Sequence, residues 1–269
     1  MDKKFKTILL KARESVYSHL SGGSLFKKLG QGYDFAELRE YESSDDIRYI
    51  SWINSAKLGE PYVKKMYKEQ ELNIALCSLL DGRFLVGKKR ELLAYVVAIL
   101  GYSAHEANNL FGAFTIFGST LKRYESSKNL YMVERVIDDI AKAELLAQKV
   151  AYEKLLDIRL ASKHLLVIVG DFLDDVDLSL LRQQHEVVAI VIRDEQEEYP
   201  QVMVERELID PQSNQLLTQR LTKRAIEYYR GKLLEHDERL IEHFYRHNIA
   251  YVKVSRSEEL IEKLEALFS

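Results

Sequence analysis

The stretch Leu72-Asn73-Ile74-Ala75-Leu76-Cys77-Ser78-Leu79-Leu80-Asp81 decides how the rest of the chain is read. It is an apolar run of strand length that ends in an acid. That pattern suits a strand buried on both faces, as in a parallel sheet. Downstream, Lys88–Glu106 reads as an apolar-rich helix, Leu110–Phe117 as a strand, and Tyr131–Leu156 has helical periodicity. His164–Val169 is a short strand ending at Gly170-Asp171. Leu178–Gln184 reads as a helix, and Val187–Ile192 is a further β-branched run. Val202–Ile209, bounded by Pro200 and Pro211, reads as an edge strand or hairpin. Thr218–His247 reads as a helix bent near Gly231, Ile249–Val254 as a strand and Ser257–Phe268 as a last helix.

Strands alternating with helices predict an α/β fold with a mostly parallel sheet covered on both faces. In such sheets ligands gather at the carboxyl ends of the strands. Asp81 and Asp171 each follow a predicted strand directly, which makes them the first candidates for a site.

Upstream the texture differs. Phe5, Leu9, Ala12, Val16 and Leu20 lie at helical spacing and predict a basic amphipathic helix over residues 3 to 20. Ser21-Gly22-Gly23-Ser24 and Gly30-Gln31-Gly32 break the chain twice. From Tyr33 to Tyr67 aromatics and charges alternate densely, and short strands are expected around Asp34–Tyr41, Tyr49–Ile53 and Tyr62–Tyr67. The expected division is an N-terminal helix and linker (1–30), a β-rich segment (31–70) and an α/β domain (71–269).

Composition bounds the function. Of 269 residues, 46% are hydrophobic and 30% charged, the balance of a globular protein with a full core. The net charge of −3 speaks against a nucleic-acid or anionic-membrane binder, which would show a basic excess. A single cysteine, Cys77, allows neither an intrachain disulfide nor a cysteine-rich zinc site. The charged start, Met1-Asp2-Lys3-Lys4-Phe5-Lys6, does not read as a secretory signal. The longest nearly apolar run, Leu92–Ala104, is shorter than the roughly twenty residues a bilayer requires. The expectation is a cytoplasmic protein without membrane insertion.

Familiar catalytic patterns are missing. No glycine-rich phosphate loop follows the first α/β strand, and no G-x-S-x-G, H-E-x-x-H or paired-cysteine motif occurs. His236 and His243 are seven apart on one predicted helix, where a solvated face accounts for them better than a metal.

The most unusual stretch runs from Gly30 to Trp52, Gly-Gln-Gly-Tyr-Asp-Phe-Ala-Glu-Leu-Arg-Glu-Tyr-Glu-Ser-Ser-Asp-Asp-Ile-Arg-Tyr-Ile-Ser-Trp. It resembles the hallmark of soluble members of domain-of-unknown-function family fifty-eight, G-x-G-x-x-F-x-x-L-R-x-Y-x-x-G-D-D-x-R-x-I-D-W followed by S-A-R. Gly30, Gly32, Phe35, Leu38, Arg39, Tyr41, Asp45, Asp46, Arg48, Ile50, Trp52, Ser55 and Ala56 match. Ser44, Ser51 and Lys57 depart from it. The resemblance continues through Tyr62-Val63-Lys64, Asp81, Ile192-Arg193-Asp194 and Pro200 to the C-terminal helix.

This resemblance implies a three-layer von Willebrand factor A-like, Rossmann-like domain, and a partnership with a MoxR-type AAA+ ATPase in maturation of a client protein. It also implies a place for Mg²⁺, held by D-x-S-x-S after the first strand, a threonine loop and a later aspartate. Here that loop reads Asp81-Gly82-Arg83-Phe84-Leu85, with Arg83 and Leu85 at the serine places and Ser126 or Ser127 as the candidate for the threonine loop. Asp81 and Asp171 without hydroxyl neighbours make a degenerate site, and no metal is expected to bind. Arg83 either supplies the missing positive charge between the two acids or points into solvent.

Two roles stand open for Arg39, Tyr41, Asp45, Asp46, Arg48 and Trp52. They pin the extended segment to the α/β body, with Phe35 and Trp52 in a core, or they present an interaction surface. The leading expectation is a non-enzymatic interaction protein that engages its ATPase through the face around Asp81 and Asp171. The alternatives are a Mg²⁺-dependent binding module and a hydrolase built on paired carboxylates, which lacks a nucleophile beside a base.

Overall fold

A computed structural model describes residues 2–19, 25–26, 35–42, 45–66 and 72–268. The expected linker glycines, Leu20 and Tyr67 lie outside the described residues. Helix α1 (Lys3–His19) lays Phe5, Leu9, Ala12 and Val16 into the core, the stripe that the helical spacing predicts. Strand β1 (Phe35–Glu40) pairs antiparallel with β2 (Tyr62–Met66). Between them lie a 3₁₀ turn (Ile47–Tyr49) and helix α2 (Trp52–Leu58). The strand expected over Tyr49–Ile53 is therefore absent; only Ile50 bridges to Val63. Asp46 caps the 3₁₀ turn by accepting the Arg48 N–H, so local hydrogen bonds draw the segment into a turn.

The body begins with β3 (Asn73–Leu80), followed by α3 (Lys89–Glu106), β4 (Leu110–Phe117), β5 (Thr120–Ser127) and α4 (Leu130–Lys142). Then come β6 (Leu165–Gly170), α5 (Ser179–Gln184), β7 (Glu186–Ile192) and α6 (Glu195–Glu198). The hairpin β8 (Met203–Ile209) and β9 (Leu216–Leu221), helix α7 (Lys223–Arg246), β10 (Ala250–Val254) and α8 (Leu260–Phe268) complete it. The fold is mixed α/β, and its central six-stranded sheet has the order β10-β7-β6-β3-β4-β5. Every pairing is parallel except β4 with β5, an antiparallel edge.

Alternation along β3 divides the core. Ile74, Leu76 and Leu80 face a layer that holds α1, α3, α4 and α8, while Ala75, Cys77 and Leu79 face one that holds α5 and α7. Both layers are apolar, which is why this strand shows no polar alternation. Burial also pushes the Cys77 thiol well above its ordinary pKa, so it is inert packing.

The body departs from expectation in one added strand and two shortened helices. Edge strand β5 was not anticipated, because its burial is broken (Tyr124 buried, most of its neighbours exposed) and charges crowd it. The helix expected over Tyr131–Leu156 stops at Lys142, and a 3₁₀ segment occupies Tyr152–Asp157. The helix expected from Thr218 starts at Lys223, capped by Thr222, because Leu216–Leu221 pairs with β8; it then runs unbroken through Gly231.

Candidate functional site

The strand order reverses between β3 and β6, the first two strands of the two halves of the sheet, and ligands in doubly wound sheets bind at that switch. Asp81 follows β3 and Asp171 follows β6, so the fold brings both to one place. Asp81 is extended (φ −142°, ψ −173°) and caps the 3₁₀ turn Gly82–Leu85, its carboxylate accepting the Arg83 N–H at 2.8 Å. That turn folds the Arg83 side chain back over the acids. Its Nε and Nη2 donate to Asp81 Oδ2 at 2.9 and 2.7 Å. Nε lies 3.1 Å from Asp171 Oδ2, and Nη2 donates to Asp174 Oδ2 at 2.8 Å. Of the two roles open to Arg83, the structure has the one beside the acids.

A second cation stands behind the first. Lys89, in the first turn of α3, is fully buried, with Nζ 3.4 Å from Asp171 Oδ2 and 2.5 Å from Glu197 Oε1. Glu197 is held in turn by the capping box of α6, whose Asp194 also accepts the Lys88 N–H at 3.1 Å. Gly87 makes this possible: its φ is +58°, and a Cβ there would lie 1.8 Å from Asp194 Oδ2. After Asp171, Phe172 is left-handed (φ 48°), an uncommon state for a bulky residue, and its ring is locked edge-on against Phe244. The turn carries the chain on to Asp174.

The β8–β9 hairpin closes the centre from above. Gln212 Nε2 donates to Asp81 Oδ2 at 2.7 Å, and Ala147 donates its N–H to the Pro211 carbonyl at 2.9 Å. A Cβ at Gly82 would lie 2.0 Å from that same carbonyl, so only glycine fits beneath the hairpin tip.

Burial, and then the Asp171 charge, push the Asp81 carboxyl above the ordinary carboxylate range, against the pull of Arg83 and Gln212. Burial opposes the charge on Arg83, but Asp171, Asp81 and Asp174 outweigh it and raise its pKa. Burial likewise raises Glu197 against the pull of Lys89. Among the described residues, the side-chain partners of these four acids are Arg83, Lys89 and Gln212, and no hydroxyl or imidazole bonds to them. The arrangement holds charge in place; it offers no nucleophile beside a base.

The donor set does not fit Mg²⁺. That ion asks for an oxygen shell near octahedral geometry, whereas the inner carboxylate oxygens here face a guanidinium and an ammonium. Ser126 and Ser127 do not complete a shell either. Ser127 pairs with Phe111 at the start of β4, while Asp81 lies beyond Leu80, whose partner is Phe117, roughly 20 Å along the strand.

Asp81 and Asp171 are only 1% and 3% exposed in their side chains, so neither is a surface acid that a partner could grip. The exposed edge of the centre is Asp174. The sequence did not point to Asp174, Lys89, Glu197 or Gln212. Lys89 opens α3 within the charged run Lys88-Lys89-Arg90-Glu91, Glu197 sits in a run of acids, and Asp174 and Gln212 sit in polar loops, so nothing local sets any of them apart.

The family motif forms a separate set of bonds. Arg39 Nη2 donates to Asp45 Oδ1 at 2.5 Å, and the Glu42 N–H to Asp45 Oδ2 at 2.9 Å. Arg48 Nη2 donates to Asp46 Oδ2 at 2.5 Å. The Glu42 N–H, then Arg39, lowers the Asp45 carboxyl, and Arg48 lowers that of Asp46 to about 2. Among the described residues, Asp45 and Asp46 thus bond within the segment. Tyr41 is half-buried, and Trp52, expected in a core, is 70% exposed. The side chain of Phe35 lies outside the described residues. His236 and His243 are not a solvated face: His236 Nε2 lies 2.7 Å from the Phe172 carbonyl, and His243 Nε2 accepts the Leu178 N–H at 3.1 Å.

Fold and site together define a doubly wound α/β protein whose strand-end centre carries its own cations. The chain belongs to the family described as protein of unknown function DUF58, whose model matches residues 37–238. Uncharacterized proteins of Mycobacterium tuberculosis and Mycobacterium bovis are 24% identical over 202 residues, which is 70% of this chain and 64% of theirs. The match thus spans less than two thirds of those relatives. Among solved structures, BatB of Bacteroides thetaiotaomicron is similar at TM-score 0.41 and 8% identity, over 73% of this chain and 96% of that one. An aerotolerance-related membrane protein of Bacteroides fragilis is similar at TM-score 0.41 and 9% identity, over 73% and 98%. Among the described residues, no helix is long and apolar enough to cross a membrane.

Proposed function

We propose that the chain is a non-enzymatic interaction protein, a cytoplasmic partner of a MoxR-type AAA+ ATPase in the maturation of a client protein. Its body is read as von Willebrand factor A-like with a degenerate metal site. The single observation that carries this reading is Arg83, whose guanidinium bonds Asp81 and Asp174 and lies in salt-bridge range of Asp171. Such a centre keeps a shaped, charged strand-end face without needing a metal ion, and chemistry there has no nucleophile to start from. The antiparallel edge β5, next to β4, together with the reversal between β3 and β6 supports the von Willebrand factor A-like reading.

Asp174, 30% exposed, is the member of the centre that a partner reaches first. A light-scattering titration of the full chain with its cognate MoxR-type ATPase tests the proposal. Asp174→Lys is expected to weaken association at least tenfold, while Glu125→Ala, at a side chain 81% exposed on edge strand β5, leaves it unchanged. No association of the parent chain, or equal affinity for Asp174→Lys, overturns it.

A further inference from the structure

Away from the strand-end centre, the last turn of α7 and the loop after β6 bring three metal-ligating side chains together. His243 and His247 stand one helical turn apart with ring centroids 4.7 Å apart. His243 Nε2 lies 3.8 Å from Asp177 Oδ1. One ligand atom from each of Asp177, His243 and His247 falls within 4.8 Å of the others. We propose that these three residues bind a divalent transition-metal ion of the zinc class, at a site independent of Asp81 and Asp171.

The donor chemistry selects the ion. Two imidazoles and one carboxylate suit Zn²⁺, Co²⁺ or Ni²⁺, whereas Mg²⁺ and Ca²⁺ want oxygen alone. Three protein ligands leave a fourth tetrahedral position for water or for a ligand from a partner. Asp177 is exposed, so the open position faces solvent. Its Oδ1 accepts the Ser179 N–H at 2.8 Å and lies 3.8 Å from His243 Nε2, so an ion would share this carboxylate with the Ser179 N–H. His247, at the C-cap of α7, makes no side-chain hydrogen bond among the described residues.

His243 is the costly member, because Nε2 already accepts the Leu178 N–H at 3.1 Å and an ion must compete with that bond. A tetrahedral zinc shell spaces its ligand atoms by roughly 3.3 Å, so the 4.8 Å spread must close by about 1.5 Å at most. A loop carboxylate and a helix-end imidazole can move that far. Micromolar affinity is the expectation. The loop that carries Asp177 also carries Asp171 and Asp174, so an ion here would clamp the segment on which Arg83 closes.

The test is calorimetric titration of EDTA-treated full chain with Zn²⁺, together with the visible spectrum of the Co²⁺-loaded protein. The expected result is one equivalent bound with micromolar affinity and the intense visible bands of tetrahedral Co²⁺. His247→Ala and Asp177→Asn should each weaken binding at least tenfold while circular dichroism stays unchanged. His243→Gln, which keeps an acceptor for Leu178, should do the same. Asp81→Asn should bind as the parent does. Parent binding no tighter than that of His247→Ala, or binding lost in Asp81→Asn alone, overturns the proposal.

Discussion

Arg83 Nε stands 3.1 Å from Asp171 Oδ2 while Nη2 of the same guanidinium stands 2.7 Å from Asp81 Oδ2. Two acids delivered by different strands thus share one cation from the turn that follows the first of them. Arg83→Ala removes that cation and leaves buried carboxylates facing each other. Losing one partner of a buried ion pair costs about 3–5 kcal/mol, and Arg83→Lys, which cannot fork, should recover only part of it. The Asp81 carboxyl, already raised by burial, rises further in Arg83→Ala. An acid raised in the folded state favours folding at low pH, and that contribution is lost as pH rises through its folded pKa. The deficit of the variant should therefore be small in acid and grow toward neutrality. Urea unfolding across that range reads it directly, and a pH-independent deficit contradicts the assignment.

Gly82→Ala should dislodge the hairpin. Its Cβ would meet the Pro211 carbonyl at 2.0 Å, so the tip must retreat and the Gln212–Asp81 bond must lengthen or break. Overpacking of this kind costs about 1–3 kcal/mol. Limited proteolysis should cut the variant between β8 and β9 faster than the parent. Equal cleavage rates would show that the tip is not held there.

Arg48→Ala, by contrast, should barely move the melting temperature, because the Arg48 side chain is 81% exposed and an ion pair so open to solvent contributes little. The Asp46 carboxyl, held at about 2 by the Arg48 side chain and N–H, should rise toward the ordinary aspartate range but stay below it, because the residue-48 N–H still donates to it, as NMR titration of its side chain would report. Its depressed pKa favours folding above the unfolded value, and that contribution disappears as pH falls through about 2. A large drop in melting temperature at neutral pH would restore a pinning role to this residue.

The parallel body was legible because its strands announce themselves: Leu72–Leu80 and Val187–Ile192 are apolar runs that only a sheet covered on both faces can bury. The position of Asp81 followed from the first of these runs, and that of Asp171 from the shorter run His164–Val169, which ends at Gly170-Asp171. Edge strand β5 was not legible because its exposed positions carry charges that read equally well as loop or helix, and β9 was not because Thr218–Leu221 runs on without a break into the helix that follows. Within the site, Arg83 could be read because it stands in a motif at a position where another residue type is expected. Asp174 and Gln212 could not. Each reaches the centre by tertiary contact, Gln212 across 131 positions of chain, and nothing local to either sequence marks it.

The most direct test of a strand-end centre that carries its own cation is calorimetry of the full chain with Mg²⁺, for parent and for Asp81→Asn. No saturable heat is expected from the parent at micromolar to millimolar ion, because Arg83 and Lys89 already face the oxygens that an ion would need. Saturable binding at micromolar Mg²⁺ that Asp81→Asn abolishes would contradict it.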